Sequence, residues 1–327
     1  MRRRMGFVFI IAFILMAAGL LAATCLGAKP LSMQVVWDSI FNYDGGLDAM
    51  LVRDSRLPRA LCAAVVGGLL SMAGAVMQGI TRNPIAEPSI MGVTQGATLA
   101  VAVASVNMSV YGLLGNTFAA LIGAVASGFL VLLFSISSAR NMSLSRLLMA
   151  GTAISTFFLS MASVVALLGN RSQDLAFWLS GGFRTATWKY VWMLLPVGSL
   201  CAAFAMMLSG KINIISLGDD TAVGLGVKPV QVRIQSVAVI IPMCAVCVAA
   251  AGNIAFVGLI IPHIIRKILG QDYRRLIPAS FICGAALLVW ADVAAKTINM
   301  PYETPIGLFS SLLGIPVFIS LVRREKS

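Results

Sequence analysis

The chain has 327 residues, of which 59% are hydrophobic and only 11% are charged, and its formal net charge is +12. Soluble domains carry about 25% charged residues, so this composition excludes an ordinary soluble domain and indicates a membrane protein. The basic residues cluster between long apolar runs. The positive charge is therefore interpreted as a topology signal, and it does not call for a nucleic-acid partner.

Ten apolar stretches approach the length of about 20 residues that a membrane-spanning helix needs. The predicted spans are 6–28, 60–80, 90–110, 116–138, 146–169, 190–209, 232–251, 254–269, 276–297 and 305–322. The run 234–265 is ambiguous between one long helix and two short ones. Both chain ends are basic and are expected to stay inside, which requires an even number of spans and favours a break at Gly252-Asn253. The first apolar run is long enough to be a full span and has no clear signal-peptide cleavage site, so it is interpreted as the first transmembrane helix.

The predicted fold class is all-α: a polytopic membrane protein with about ten transmembrane helices, both termini cytoplasmic, in a single domain over residues 1–327. With this topology, two thirds of the 24 Lys and Arg residues fall on the cytoplasmic side, as the positive-inside rule requires. The same topology places residues 217–226 in the cytoplasm.

That cytoplasmic segment is a polar, glycine-punctuated stretch between two apolar runs. Asp219 or Asp220 is a candidate helix N-cap, and Gly224 and Gly226 supply a stop, which predicts one short helix outside the membrane. The alternative is an ordinary solvated turn, because capping residues alone define no function.

Basic residues also gather on the predicted outer side. Arg53, Arg56 and Arg59 recur at a spacing of three residues beside Pro58, a residue suited to a helix start. They are interpreted either as an exposed rim facing solvent and lipid phosphates or as a docking surface for an acidic partner. Lys296 also lies at an outer helix end, four residues after Asp292, which is the spacing of a helical ion pair.

Several interior positions carry polar or helix-breaking residues where lipid would favour leucine. They indicate a translocation path or a structural turn, and they are Gln78, Asn83, Pro84, Gln95, Gly258, Pro262 and His263. His263 is the only histidine of the chain. It is interpreted as a hydrogen-bonded interior residue, with a proton relay or ligand contact as the alternative.

The cysteine pattern and the rest of the chain predict neither a metal site nor catalytic residues. Cys244-x-x-Cys247 lies within an apolar run with no His or acidic neighbour in sequence, so packing is favoured over metal or redox chemistry. The chain has no G-x-x-x-x-G-K-[ST] segment to hold ATP phosphates.

Five segments, taken together and in order, resemble the FecCD-type permease family. They are Arg56-Leu57-Pro58-Arg59, the Q-x-x-x-RNP-x-A-x-P motif of 78–88, the LG-x-x-x-A-x-x-LG motif of 217–226, the G-x-I-x-FVGLIIPHI-x-R motif of 252–266, and Asp292 to Lys296 with Glu303, Pro305 and Gly307. Two departures are Tyr273, where the family usually has His, and Lys296, where Arg is commoner. A lysine lacks the bidentate fork of arginine, so any contact that Lys296 makes with an acidic partner is expected to be weaker than that of an arginine.

The resemblance implies a permease subunit of an ATP-driven importer in the bacterial cell membrane, carrying a ferric siderophore first, and haem or cobalamin next. Its implied partners are a second copy of the chain, two cytoplasmic ATPase subunits that hold ATP and Mg, an extracytoplasmic binding protein and membrane lipid. The chain itself is then expected to bind no cofactor and to be no enzyme. Coupling to the ATPase is implied for Leu217, Gly218, Asp219, Asp220, Ala222, Leu225 and Gly226, and docking of the binding protein for Arg56, Arg59 and Lys296.

Two other classes of function remain as alternatives. An ion-gradient-driven secondary transporter usually keeps acidic residues at mid-membrane, and none of the uncharged runs contains one. A membrane-embedded enzyme needs a cluster of nucleophile, base or metal ligands, which one histidine without a nearby acid does not provide.

Overall fold

The computed structural model describes residues 2–107, 113–136, 144–300 and 302–325, and all regular structure in these ranges is helical. The helices are α1 (Arg2–Cys25), α2 (Met33–Phe41), α3 (Leu47–Met50), α4 (Leu57–Thr81), α5 (Val93–Val106), α6 (Leu113–Ile136), α7 (Leu144–Leu168), α8 (Ser172–Ser180), α9 (Trp188–Ser216), α10 (Asp219–Gly224), α11 (Pro229–Ala251), α12 (Val257–Leu269), α13 (Tyr273–Thr297) and α14 (Ile306–Glu325). A π-helical turn at Leu51–Arg56 joins α3 to α4, and a 3₁₀ turn at Pro88–Met91 precedes α5.

Seven helical stretches in the described ranges are long and apolar enough to cross a membrane. They correspond to α1, the continuous stretch Leu47–Thr81 that ends in α4, α6, α7, α9, α11 and α13. The shorter apolar helices α5 and α14, together with α12, overlap the other three stretches expected from sequence. The all-α, multi-pass fold class is confirmed.

Two of these helices are shorter than expected. α5 has 14 residues and α12 has 13, lengths of about 20 Å that fall short of the roughly 30 Å hydrocarbon layer. Each is preceded by a segment without α-helix, residues 82–92 before α5, which include the 3₁₀ turn, and residues 252–256 before α12. The break expected at Gly252 is present, since α11 ends at Ala251 and Gly252 has φ +66°.

Helix α4 is the centre of the bundle and packs against α1, α9, α11, α12 and α13. Its glycines permit the closest approaches. A Cβ placed on Gly74 would lie 1.9 Å from the carbonyl oxygen of Gly258 on α12, and one on Gly67 would lie 2.3 Å from that of Gly284 on α13. Only glycine fits at these two crossings, so the small residues of the sequence pattern are packing contacts between helices.

A second group of helices consists of α5, α6 and α7, and α11 packs between this group and α4. Here too glycines meet, since a Cβ on Gly123 of α6 would lie 2.3 Å from the carbonyl oxygen of Gly96 on α5. The short helix α8 lies between α7 and α9 and packs against α5 and α7. The segment between α1 and α4 also holds helical structure, in α2 and α3.

Candidate functional site

The outer end of the bundle carries a group of charges, here called the outer cluster, that consists of the buried Arg59, Asp292 and Lys296 and the partly exposed Glu303. The Nη2 atom of Arg59 lies 2.9 Å from Oδ1 of Asp292, and its Nη1 atom lies 2.7 Å from Oε1 of Glu303. Lys296 Nζ lies 3.4 Å from Oδ2 of Asp292 and 3.0 Å from the carbonyl oxygen of Ala23. The cluster therefore joins α4, α13 and the segment before α14, and it links them to α1.

The three predicted docking cations are not an exposed rim. Arg56 is buried and donates to the carbonyl oxygens of Thr24, Cys25 and Lys29, while Arg59 and Lys296 are buried in the outer cluster. The expectation of exposure was wrong because it counted spacing along one helix and not the acceptors that other helices bring. Pro58 is the second residue of α4, as its suitability for a helix start suggested, and the π-helical turn Leu51–Arg56 precedes it.

In the bundle interior, Gln78 connects α4 to α12. Its amide nitrogen donates to the carbonyl oxygens of Gly258 (3.3 Å) and Leu259 (3.2 Å), and its Oε1 accepts a hydrogen bond of 2.8 Å from Nη2 of Arg266. Carbonyls 258 and 259 lie four and three residues before Pro262, which has no N–H to bond residue 258. Gln78 therefore satisfies a carbonyl that the proline leaves without a helical donor.

Residues 82–92 fold back into the bundle. Arg82 adopts a left-handed conformation (φ +52°) at the end of α4, and the Oδ1 atom of Asn83 accepts a 2.9 Å bond from the backbone N–H of Ile85. The returning segment brings Glu87 to the start of α12, where its Oε1 accepts a 2.6 Å bond from the backbone N–H of Phe256.

This contact lies deep in the bundle. Val257, next to Phe256, presents its carbonyl oxygen 3.5 Å from Oγ of Ser71, near the middle of α4. Glu87 lies outside every uncharged run, so the sequence argument did not place it among the helices. The structure does, since the chain carries this carboxylate from a turn into the bundle.

The other predicted interior residues divide into two places. Pro84 and His263 line one cavity together with Gln78, while Pro262 is buried within α12. Gln95 lies apart on α5, and its Oε1 is buried without a hydrogen-bond donor among the described residues. Gly258 contacts Gly74 as described above. The structure therefore brings Gln78, Pro84, Gly258 and His263 together around α4 and α12.

The short helix expected in the cytoplasmic segment is present as α10, but its capping differs from the prediction. Gly218 occupies the N-cap position with φ +126°, and no side chain caps the helix. Asp219 instead places its Oδ1 2.8 Å from Nη2 of Arg233 on α11 and 3.2 Å from Nη2 of Arg82 after α4. The predicted N-cap position was wrong because Gly218 can adopt the backbone conformation that this N-cap requires. The carboxylate of Asp219 is therefore available to pair with two arginines.

The surface of α10 has two distinct faces. Ala222 is fully buried against the bundle, whereas Leu217, Val223 and Leu225 are each more than 60% exposed. Asp220 is also exposed. An exposed apolar group of this kind outside the spans is typical of a contact surface for another protein.

The pair Cys244 and Cys247 is buried in the core on α11. Both thiols line a narrow cavity that Glu87 also lines, so an acidic residue is nearer than the sequence suggested. Among the described residues no group of three or more His, Cys, Asp or Glu side chains is placed to hold a metal ion. Packing remains the interpretation of this pair.

Sequence reasoning did not identify the partners that give these residues their environment. Glu303 was noted only as a motif residue, Arg233 was not singled out, and the cap at Phe256 was not expected. A signal existed for Glu87, since an acidic residue between two prolines must sit in a rigid turn. The place that the Glu87 side chain occupies in the fold follows only from the packing of α5 and α12.

Comparison with known proteins agrees with this architecture. The profile of the FecCD transport family matches residues 14–324. The chain is 40% identical over 323 residues to the iron(3+)-hydroxamate import system permease protein FhuB of Bacillus subtilis, covering 98% of this chain and 83% of that protein. It is 36% identical over 319 residues to the Fe(3+)-citrate import system permease protein YfmD of the same organism, covering 98% and 95%.

A solved structure is similar over nearly the full length. It is described as an inward-facing conformation of a metal-chelate type ABC transporter, with a TM-score of 0.85 and 29% sequence identity. The similarity covers 98% of this chain and 99% of that one.

Proposed function

This chain belongs to the FecCD transport family, and from that membership we propose that it is the permease subunit of an ATP-driven importer for ferric chelates in the bacterial cell membrane. The observation that carries the proposal is the match over residues 14–324, which includes every element described above except the start of α1 and the last residue of α14. The relatives named for ferric hydroxamate and ferric citrate support a ferric siderophore as the first candidate cargo. A relative named as a hemin transport system permease protein supports haem as the next candidate, and cobalamin follows from the family resemblance alone.

ATP hydrolysis belongs to a partner in this proposal, since the chain lacks a phosphate-binding loop. Two ATPase subunits hold ATP and Mg, and α10 is the helix through which each permease contacts its ATPase. The exposed face of Leu217, Val223 and Leu225 supports this role because it presents apolar area outside the spans. The pairing of Asp219 with Arg82 and Arg233 then links any displacement of α10 to α4 and α11.

The translocation path is proposed to run between two copies of the chain, with an external binding protein delivering the cargo. Gln78, Asn83, Pro84, Gln95, Gly258, Pro262 and His263 remain the candidate residues of the path or of the turns that shape it. Their support is the grouping of Gln78, Pro84 and His263 around one cavity between α4 and α12.

The docking role of Arg56, Arg59 and Lys296 stays a prediction. The ion pairs of the outer cluster add a condition that docking must meet. An acidic residue of the binding protein must compete with Asp292 and Glu303 for the guanidinium of Arg59. Docking would then open the outer cluster. Such a contact weakens with added salt, and measuring the affinity of the binding protein across a salt series tests it.

Uptake measurements test the proposed function. Cells that lack their own siderophore permeases receive this chain with its ATPase and binding protein, and import of radioactive iron is followed with a ferric hydroxamate, ferric citrate or haem. We expect ATP-dependent import of at least one ferric siderophore. Import that survives an inactive ATPase but stops with a protonophore would instead support the ion-gradient-driven alternative.

A further inference from the structure

A cavity of about 370 Å³ opens at the end of the bundle where α10 lies, the end that the basic residues place in the cytoplasm. It lies between the end of α4, the second half of α12 and the start of α13. Its principal polar lining consists of Gln78, Arg82, His263, Arg266, Lys267 and Tyr273. The transport proposal above uses this cavity as support for the translocation path, but it assigns no bound anion to the cations that line it.

The charge of the cavity is strongly one-sided. Three permanent cations line it, and no acidic side chain does. Arg82 shares the single carboxylate of Asp219 with Arg233, while Arg266 and Lys267 form no ion pair within the described ranges. Cations held close together without counter-charge repel one another, so a bound anion would stabilise this arrangement.

Arg266 is held in position and still has donors to offer. Its Nη2 atom donates to Oε1 of Gln78 at 2.8 Å and lies 3.5 Å from the hydroxyl of Tyr273. Gln78 is fixed in turn by its bonds to the carbonyls of Gly258 and Leu259. The Nε–H of Arg266 is buried and has no acceptor in the described part of the chain. A buried donor without an acceptor is costly, so a residue kept in this state indicates a missing acceptor.

The chemistry of the missing acceptor follows from these groups. A fixed guanidinium recognises the oxygens of a phosphate by paired hydrogen bonds, and lysine adds a point charge. The cavity volume is in the range of small-molecule sites. Basic pockets between membrane helices on the cytoplasmic side are a known setting for phospholipid head groups.

We propose that this cavity binds a phosphate group through Arg82, Arg266 and Lys267, carried either by an anionic phospholipid or by free inorganic phosphate. The two sources share one recognition chemistry. They differ in whether acyl chains are needed to bring the phosphate to the cavity. An acidic side chain of a partner protein is the competing occupant, and the experiment distinguishes it.

Thermal unfolding of the full-length chain in an uncharged detergent measures binding. Inorganic phosphate, dihexanoyl phosphatidic acid and dihexanoyl phosphatidylcholine are titrated separately, with sodium chloride holding ionic strength constant. We expect phosphate or phosphatidic acid to raise the unfolding temperature, because a ligand that binds only the folded state stabilises it. A response to both assigns free phosphate as sufficient, and a response to phosphatidic acid alone assigns the lipid.

Substitutions of the cavity cations test whether the phosphate group binds in this cavity. Lys267→Gln removes an exposed cation of the cavity and should weaken the apparent affinity about tenfold, the loss of one charge-assisted contact. Arg266→Lys keeps the charge but loses the fork, and it should also weaken binding. Lys211→Gln is the matched control, since Lys211 is an exposed cation of α9 outside the cavity lining, and its affinity should equal that of the unmodified chain.

Three results would overturn the proposal. One is the absence of any shift with phosphate or phosphatidic acid, and another is an equal shift with phosphatidylcholine or with chloride alone. The third is an unchanged affinity in both Lys267→Gln and Arg266→Lys. If neither phosphate ligand binds and Lys267→Gln instead reduces co-purification of the ATPase, the cavity is a protein contact. None of these outcomes depends on transport activity, so they leave the proposed function standing.

Discussion

The carboxylate of Glu87 accepts a 2.6 Å hydrogen bond from the backbone N–H of Phe256, at the N-terminus of α12. Phe256 has φ +70°, an unfavourable conformation for a residue with a side chain, so this junction holds local strain. A carboxylate at a helix N-terminus satisfies an unpaired donor and favours the positive end of the helix dipole. The hydrogen bond of Glu87 therefore links the segment before α5 to the start of α12.

Removing this cap should loosen the junction. Glu87→Ala is expected to lower the free energy of unfolding by about 1–2 kcal/mol, and Glu87→Gln by less because the amide oxygen still accepts. Thermal unfolding in detergent measures both. Asp54→Ala is the control, since Asp54 is exposed and should have an effect within about 0.5 kcal/mol. Equal stability of Glu87→Ala and the control would show that the hydrogen bond contributes nothing.

Breaking the outer cluster should be more damaging than breaking a surface pair. Asp292→Asn leaves Arg59 and Lys296 buried with less counter-charge, and loss of one partner from a buried pair costs about 3–5 kcal/mol. Glu303→Gln should cost less, because the Glu303 side chain is 30% exposed and water screens the change.

The surface pair Arg171–Asp174 provides the comparison for that measurement. Asp174→Asn should change the free energy of unfolding by at most about 1 kcal/mol, since both partners are substantially exposed. Chemical or thermal unfolding of the three variants side by side gives the order. Asp292→Asn as mild as Asp174→Asn would contradict the view that the outer cluster holds the helices together.

The crossing of α4 and α12 should tolerate no side chain at Gly74. Gly74→Ala would place Cβ against the Gly258 backbone, so the helices must separate, with an expected loss of about 3 kcal/mol or failure to accumulate in the membrane. Gly224→Ala is the matched control, because nothing lies within 4 Å of a Cβ there. Membrane abundance and unfolding temperature measure the contrast, and normal values for Gly74→Ala would refute the packing argument.

The two acidic residues of α10 should differ in their effect on coupling. Asp219→Asn weakens the contacts with Arg82 and Arg233, so substrate-stimulated ATP hydrolysis is expected to fall severalfold while the chain still reaches the membrane. Asp220→Asn changes an exposed carboxylate and should have a small effect. Replacing both by lysine should abolish transport. Unimpaired uptake by the double lysine variant would rule out coupling through α10.

The sequence determined the membrane class, the helical fold and the family, because each depends on patterns that are local along the chain. The length of each apolar run indicates which segments cross the membrane. The positions of glycines predicted the break at Gly252 and contributed to the prediction of the short helix that follows Gly218. The family followed from motifs in order, which need no knowledge of contacts.

Only the tertiary structure decided what the charged residues do. Arg59 lies 233 residues from Asp292 and 244 from Glu303, and no local pattern specifies a pairing over such separations. The same holds for Glu87, which the sequence places in a turn and the fold carries to Phe256. A charge buried without a partner is prohibitively costly, so helix packing selects the acceptors for each buried charge. That selection placed Arg59 in an internal ion cluster and Arg56 against backbone carbonyls, where the sequence had suggested an exposed rim.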